Sequence, residues 1–335
     1  MSELNNIALK IIGNGKGILA ADESTGTMTK RLDKVNIKST PENRLNFRHT
    51  LFTSNSIKNC IGGVILYDET IKQTFNSKTI PEIISETGAI PGIKVDTGAK
   101  VLSKSPKEKI TEGLDGLRER LKEYYKLGAR FTKWRGVYTI TNEFPSKLAI
   151  HSNAHALARY AALAQEEGMV PIVEPEVLMD GNHNAVTCLK KTSEVIKKCF
   201  DELILHKIEL KGVILKPNMI LSGSDSDEKI SSKEIAELTL KCLIDSVPSE
   251  VPGIAFLSGG QTEIEATKNL DSINKQNKSN FIMSYSYGRA LQQNALKYWS
   301  INTNDINGTQ KIFDHRANMC ALAAQGKWTE KLEQI

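Results

Sequence analysis

Eight short apolar runs recur along the chain, and each ends in polar or charged residues. They occupy residues 17–23, 62–68, 91–96, 129–135, 170–176, 212–216, 253–258 and 281–286. Short apolar runs bounded by turn residues read as buried strands, and the gaps between them have room for helices. Strands that alternate with helices make a parallel sheet, and eight of them predict closure rather than an open sheet. The expected fold is therefore α/β, a (β/α)8 TIM barrel. It fills residues 1–335 as a single domain with extra N- and C-terminal helices.

The gaps support this. Residues 110–127 place Leu114, Leu117, Leu121 and Tyr125 at helical spacing. Residues 154–167 are alanine-rich and stop at Gly168, while 185–203 carry Val186, Leu189, Ile196 and Phe200. Ser231 and Ser232 can cap a helix over 233–243, and 221–227 reads as a polar loop. No Pro/Gly/Ser linker divides the chain.

Composition excludes several classes. With 40% apolar and 25% charged residues the chain can bury an ordinary core. A net charge of +5 without a dense basic run argues against nucleic acid and suits a small anionic substrate. Five scattered cysteines with no Cys-x-x-Cys pair argue against a disulfide framework or a zinc cluster. Residues 1–17 resemble neither a signal peptide nor a membrane span, so a cytoplasmic protein without membrane contact is expected. Gly13-x-Gly15-x-Gly17 precedes a strand instead of following one, so it is not a dinucleotide fingerprint. His151 and His155 are four apart but lack the Glu of His-Glu-x-x-His; they are expected on a helix surface, with no metal.

Chemistry concentrates at the strand ends. A barrel builds its active site there. Asp22, Asp68, Lys94, Asp96, Lys133, Arg135, Glu174, Glu176, Lys216, Ser258 and Ser286 fall on that rim. In Val213-Ile214-Leu215-Lys216-Pro217, the proline ends the strand and leaves Lys216 at the mouth. Burial and the cations Lys94, Lys133 and Arg135 are expected to lower its pKa and release a neutral, nucleophilic amine. Glu174 and Glu176 are two apart and share a strand face, which suits a general acid that later acts as base. Ser258-Gly259-Gly260 and Gly288-Arg289 follow the last two strands, the usual phosphate position in barrels. Ser24, Thr27, Lys30 and Arg31 follow the first strand and offer a second anion site. Two such sites on opposite sides of an amine suggest a bisphosphate.

In order along nearly the whole chain, seven motifs resemble class I fructose-1,6-bisphosphate aldolase. They are Ala-Ala-Asp22-Glu-Ser-Thr-Gly, Gly-Ile-Lys94-Val-Asp, Lys133-Trp-Arg135, Val-Pro-Ile-Val-Glu174-Pro-Glu176, Leu-Lys216-Pro-Asn-Met, Phe-Leu-Ser258-Gly-Gly-Gln and Ser-Tyr-Gly-Arg289-Ala-Leu-Gln. The resemblance implies reversible cleavage of fructose 1,6-bisphosphate to dihydroxyacetone phosphate and glyceraldehyde 3-phosphate, with no metal and no cofactor. It implies Lys216 as the Schiff-base lysine and Glu174 as the acid/base that dehydrates the carbinolamine. Asp22 would engage the C4 hydroxyl, Lys133 would assist Schiff-base formation, and Arg135 and Glu176 would support them. Ser258, Gly259, Gly288 and Arg289 would bind the C1 phosphate, and Ser24, Thr27, Arg31 and Lys94 the C6 phosphate. A homotetramer is expected from the family.

Two departures stand out. Many animal members carry a longer tail ending in a tyrosine that aids proton exchange on the enamine, whereas no tyrosine follows Tyr298 here. Thr97 also stands where the family often has lysine. Other readings are a Schiff-base enzyme for fructose 1-phosphate or sedoheptulose 1,7-bisphosphate, and a barrel kept as a non-catalytic scaffold.

Overall fold

The structure is a computed structural model that describes residues 2–334. All eight expected strands form. They are β1 (Gly17–Ala20), β2 (Ile61–Leu66), β3 (Ile90–Lys94), β4 (Phe131–Tyr138), β5 (Val170–Val177), β6 (Ile214–Leu215), β7 (Gly253–Phe256) and β8 (Ile282–Tyr287). Each is parallel to its neighbours, and β1 pairs with both β2 and β8, which closes the barrel. Nearly every strand residue is buried, because helices cover the outside and side chains fill the inside.

The inside is packed by alternate residues of the strands. Ile18, Ala20, Ile65, Phe131, Val170, Ile172, Ile214 and Ala255 form one buried cluster. Helix α1 (Glu3–Ile12) plugs the N-terminal end of the barrel, where Ala8, Ile11 and Ile12 join that cluster. A Cβ at Gly62 would come within 2.0 Å of the Ile11 carbonyl oxygen, so only glycine lets the plug seat. Gly92 likewise leaves room for the Phe131 ring, which would stand 2.3 Å from a Cβ there.

Because strand side chains alternate, the same inward row continues upward into the site. Two residues beyond Ala20, Phe131, Ile172 and Ile214 lie Asp22, Lys133, Glu174 and Lys216. The apolar floor and the charged mouth are thus successive layers of one row. Lys216 extends the ladder by donating its backbone N–H to the Val173 carbonyl at 2.8 Å. Pro217 cannot donate, and the Asn218 side chain takes over by accepting from the Val177 N–H at 3.0 Å.

Helices α2 (Thr25–Asp33), α3 (Lys147–Glu166), α4 (Ala185–Leu205) and α5 (Arg289–Ile301) are among those around the barrel. The helix expected over 233–243 spans Ser232–Ser246, and Ser231 caps it reciprocally with Glu234. Residues 221–227 form a loop as expected. A helix over Ile306–Ala323 follows α5 near the C-terminus.

One expectation fails. Residues 110–127 are not one helix: Ser105–Glu112 is a strand paired antiparallel with Gly98–Leu102, and helix begins only at Leu117. Gly113 and Gly116 have φ of 125° and 65°, where an L-residue is strained, and they break the chain between the two elements. The Thr111 hydroxyl donates to the Arg135 carbonyl at 2.6 Å, which docks the hairpin beside β4.

Candidate active site

At the C-terminal end of the barrel a cavity of about 410 Å³ opens. All fourteen residues expected in the site line it, from Asp22 to Arg289. Asp68 does not: it accepts a hydrogen bond from Tyr124 and pairs with Lys72 outside the cavity. Lys30 is also absent from the lining.

Three buried charges and the half-buried Asp22 form the floor. Lys216, Glu174 and Lys133 are each no more than 4% exposed. The Lys216 ammonium lies 3.1 Å from Glu174 Oε1. Lys133 lies 2.8 Å from Asp22 Oδ2 and 3.2 Å from Glu174 Oε2. The last contact is not aligned as a hydrogen bond, so Glu174 Oε2 keeps a free lone pair. Two carboxylates and two ammoniums interleave, so each buried charge has an opposite neighbour. Sequence spacing put cations around Lys216; the structure puts a carboxylate closest.

Glu174 also departs from expectation. A pair of neighbouring carboxylates raises one of the two pKa values, the property that suits a general acid. Burial does push Glu174 up, but Lys133, Lys216 and Arg135 outweigh that and hold it below the usual carboxylate range. Glu176 cannot compete, because Arg135 neutralises it through a short ion pair. Asp22 behaves alike: burial raises it, yet Lys133 and Lys216 drive it well below an ordinary aspartate. Burial opposes the charged form of Lys133, but Asp22 and Glu174 overcome this and lift it above an ordinary lysine.

These directions fix a pH dependence. Depressed carboxylates stabilise the fold above the unfolded carboxylate range, and that contribution fades as pH falls below about 4. Lys133 contributes below about pH 10.5 and loses its share as pH rises past it. Urea midpoints from neutral to acid pH are expected to fall more steeply for the natural chain than for Asp22→Asn. Equal slopes would remove Asp22 from this linkage.

Anion-binding elements rim the cavity. Gly259 has φ of 54° in the turn after β7, and Gly288 caps α5 without a side-chain acceptor. The Arg289 and Ala290 N–H groups, ahead of Leu291 whose N–H bonds the Gly288 carbonyl, are therefore placed to meet an anion. Arg289 makes no ion pair or hydrogen bond among the described residues. On the loop after β1, Ser24 caps α2 by accepting from the Thr27 N–H at 3.3 Å, and the two hydroxyls lie 3.1 Å apart.

These groups are not on opposite sides, as expected. Closure pairs β1 with β8, so the loops after them are neighbours. Arg31 reaches across this seam, with Nη2 3.7 Å from the point a Gly288 Cβ would occupy. Lys94 stands apart on β3, tied to Asp96.

Sequence reasoning missed a support layer. Glu23 pairs with Arg31, accepts from Gln292 at 3.2 Å, and lies 3.6 Å from the fully buried Arg48. Glu23 follows Asp22 directly, so this network fixes the end of β1. Glu23 and Gln292 lie within the Asp22 and Arg289 motifs, but nothing local signalled that they meet, and nothing signalled Arg48. Ser286 is 2% exposed, lines the cavity, and its hydroxyl has no protein partner.

The family model described as fructose-bisphosphate aldolase class-I matches residues 3–335. A Xylella fastidiosa protein described as a probable fructose-bisphosphate aldolase class 1 is 47% identical over 333 residues, covering 98% of this chain and 99% of that protein. An Arabidopsis thaliana protein described as fructose-bisphosphate aldolase 4, cytosolic, is 47% identical over 93% of this chain and 80% of its own. A solved fructose-bisphosphate aldolase from Plasmodium falciparum, in complex with TRAP and a small-molecule inhibitor, superposes with a TM-score of 0.96 at 42% identity, covering 98% of this chain and 95% of that one. By sequence, fold and the match along its whole length, this chain belongs to the class I fructose-bisphosphate aldolase family.

Proposed function

We propose that Lys216 carries the covalent step of reversible fructose 1,6-bisphosphate cleavage, with the roles of the other residues set by their distances from it. The observation that carries this reading is the 3.1 Å contact between Lys216 Nζ and Glu174 Oε1 on the floor of the mouth. A carboxylate at that distance can take the ammonium proton and release the amine. The amine attacks the ketose C2 carbonyl, and Glu174 returns a proton as water leaves. The product is an iminium on Lys216. Asp22 then accepts the proton of the C4 hydroxyl, the C3–C4 bond breaks, and its electron pair moves into the iminium to give an enamine. Glyceraldehyde 3-phosphate leaves first. Protonation of the enamine and hydrolysis then free dihydroxyacetone phosphate and restore Lys216. Lys133 holds positive charge between Asp22 and Glu174 throughout. Arg135 and Glu176 neutralise each other at the edge. This family's chemistry draws its electron sink from the lysine instead of a metal.

For the phosphates, Ser258, Gly259, Gly288 and Arg289 would hold the C1 group, and Ser24, Thr27, Arg31 and Lys94 the C6 group. Each charge-assisted contact is worth about 1.5–3 kcal/mol, or roughly 10- to 100-fold in affinity. Arg289→Ala is therefore expected to raise KM for fructose 1,6-bisphosphate about tenfold or more. The natural chain should also favour the bisphosphate over fructose 1-phosphate in kcat/KM. Equal kcat/KM for the two would remove the need for a second phosphate site and favour a monophosphate enzyme.

We also infer a homotetramer in the cytoplasm. Exposed Val186, Ile204 and Leu205 on α4 suit a subunit contact, and the Arabidopsis relative is described as cytosolic. Among the described residues no helix is long and apolar enough to cross a membrane. A light-scattering mass near one subunit would exclude the tetramer.

A further inference from the structure

A second cluster of titratable side chains lies outside the barrel, where α3 packs beside α4. We propose that His155, Glu202 and His206 bind a divalent transition-metal ion of the zinc class there, separate from the aldol site. One ring nitrogen of each histidine and one Glu202 carboxylate oxygen all lie within 4.8 Å of one another. Glu202 and His206 are one helical turn apart on α4, so their side chains share a face. His155 comes from α3, with Nδ1 3.2 Å from Glu202 Oε2. That separation is close to what two donors about 2.0–2.2 Å from one ion would show.

The surroundings are arranged as a metal site requires. Glu202 is 3% exposed although it sits among half-open histidines, so its carboxylate is held inward. Lys198 Nζ takes its other oxygen, Oε1, at 2.8 Å and leaves Oε2 facing the imidazoles. His206 donates Nδ1–H to the Glu202 backbone carbonyl at 2.8 Å. A carbonyl only accepts, so this bond fixes the tautomer and leaves a lone pair on Nε2. A ligating histidine anchors one nitrogen to the protein and offers the other to the ion, so a bound ion would take His206 through Nε2. His151, one turn before His155, lies 3.5 Å from Glu202 Oε1, on the Lys198 side of the carboxylate.

The donor set selects the ion. Two imidazoles with one carboxylate suit zinc, nickel or copper, whereas magnesium and calcium want oxygen alone. The ion would cross-link α3 to α4. Without one, Lys198 and the histidine N–H groups would serve only to neutralise a buried carboxylate. The two states differ in whether the protein takes up zinc.

The test is isothermal titration of the full chain with zinc chloride, with magnesium chloride in parallel, for the natural protein and the His155→Ala/His206→Ala double variant. Both histidines are on the outer surface, so circular dichroism should show the fold retained. The cysteines are all buried and will not compete. The natural chain should bind one zinc, with Tm raised by zinc but not by magnesium, and the double variant should lose about tenfold or more in affinity. Its fructose 1,6-bisphosphate cleavage rate should be unchanged, because neither residue lines the aldol cavity. Superimposable zinc isotherms for the two proteins, or no zinc uptake by the natural chain, would overturn the proposal.

Discussion

Lys216→Met is expected to abolish fructose 1,6-bisphosphate cleavage while leaving the barrel folded. Methionine matches the lysine stem in length and is tolerated among buried neighbours. It removes the amine that forms the iminium, and the enzyme then has no electron sink for C–C cleavage. The loss should be on the order of 10⁵-fold or more in kcat, since the covalent route supplies most of the acceleration. Glu174 loses one cation in this variant but keeps Lys133 at 3.2 Å, so its charge is not stranded. A circular dichroism spectrum and urea midpoint close to those of the natural chain would separate lost chemistry from lost fold. Full activity in a folded variant would remove Lys216 from the mechanism.

Glu174→Gln is the second large effect, and its signature differs. The amide keeps the shape of the side chain but cannot shuttle a proton. Losing a general acid/base costs about 10²- to 10⁴-fold in kcat. KM should move little, because Glu174 touches the two lysines and not a phosphate. The substitution also strips the carboxylate nearest Lys216, the group that takes its ammonium proton. Release of the attacking amine and loss of water from the carbinolamine should therefore both slow. Rapid-quench acid should recover less product per turn, with substrate binding intact. A fall in binding without a fall in kcat would assign Glu174 a structural role instead.

The barrel was legible because its signal is local. A strand buried on both faces must be apolar along its length, and the charge that follows each run marks the mouth. The inward row could be followed residue by residue from Ile214 to Lys216 and from Ile172 to Glu174. The hairpin over 98–112 was not legible, since Ile110 and Leu114 imitate helical spacing and the break depends on two glycines at positive φ. Distances across the mouth were also out of reach. Spacing grouped Lys216 with other cations, but the pairing with Glu174 arises only when β5 and β6 lie side by side. The same limit hid the seam between β8 and β1, which brings Arg31 to Gly288. It also hid Arg48 and Gln292, which reach Glu23 from helices far away in sequence. His155 meets Glu202 and His206 only where α3 packs beside α4, a contact that no local motif announces.

Borohydride reduction in the presence of dihydroxyacetone phosphate and a chelator, followed by peptide mass mapping, tests the central claim most directly. The adduct is expected on the peptide containing Lys216, with cleavage activity unaffected by the chelator before reduction. An adduct on Lys133 or Lys94, no adduct at all, or loss of activity to the chelator would contradict a Schiff base at Lys216.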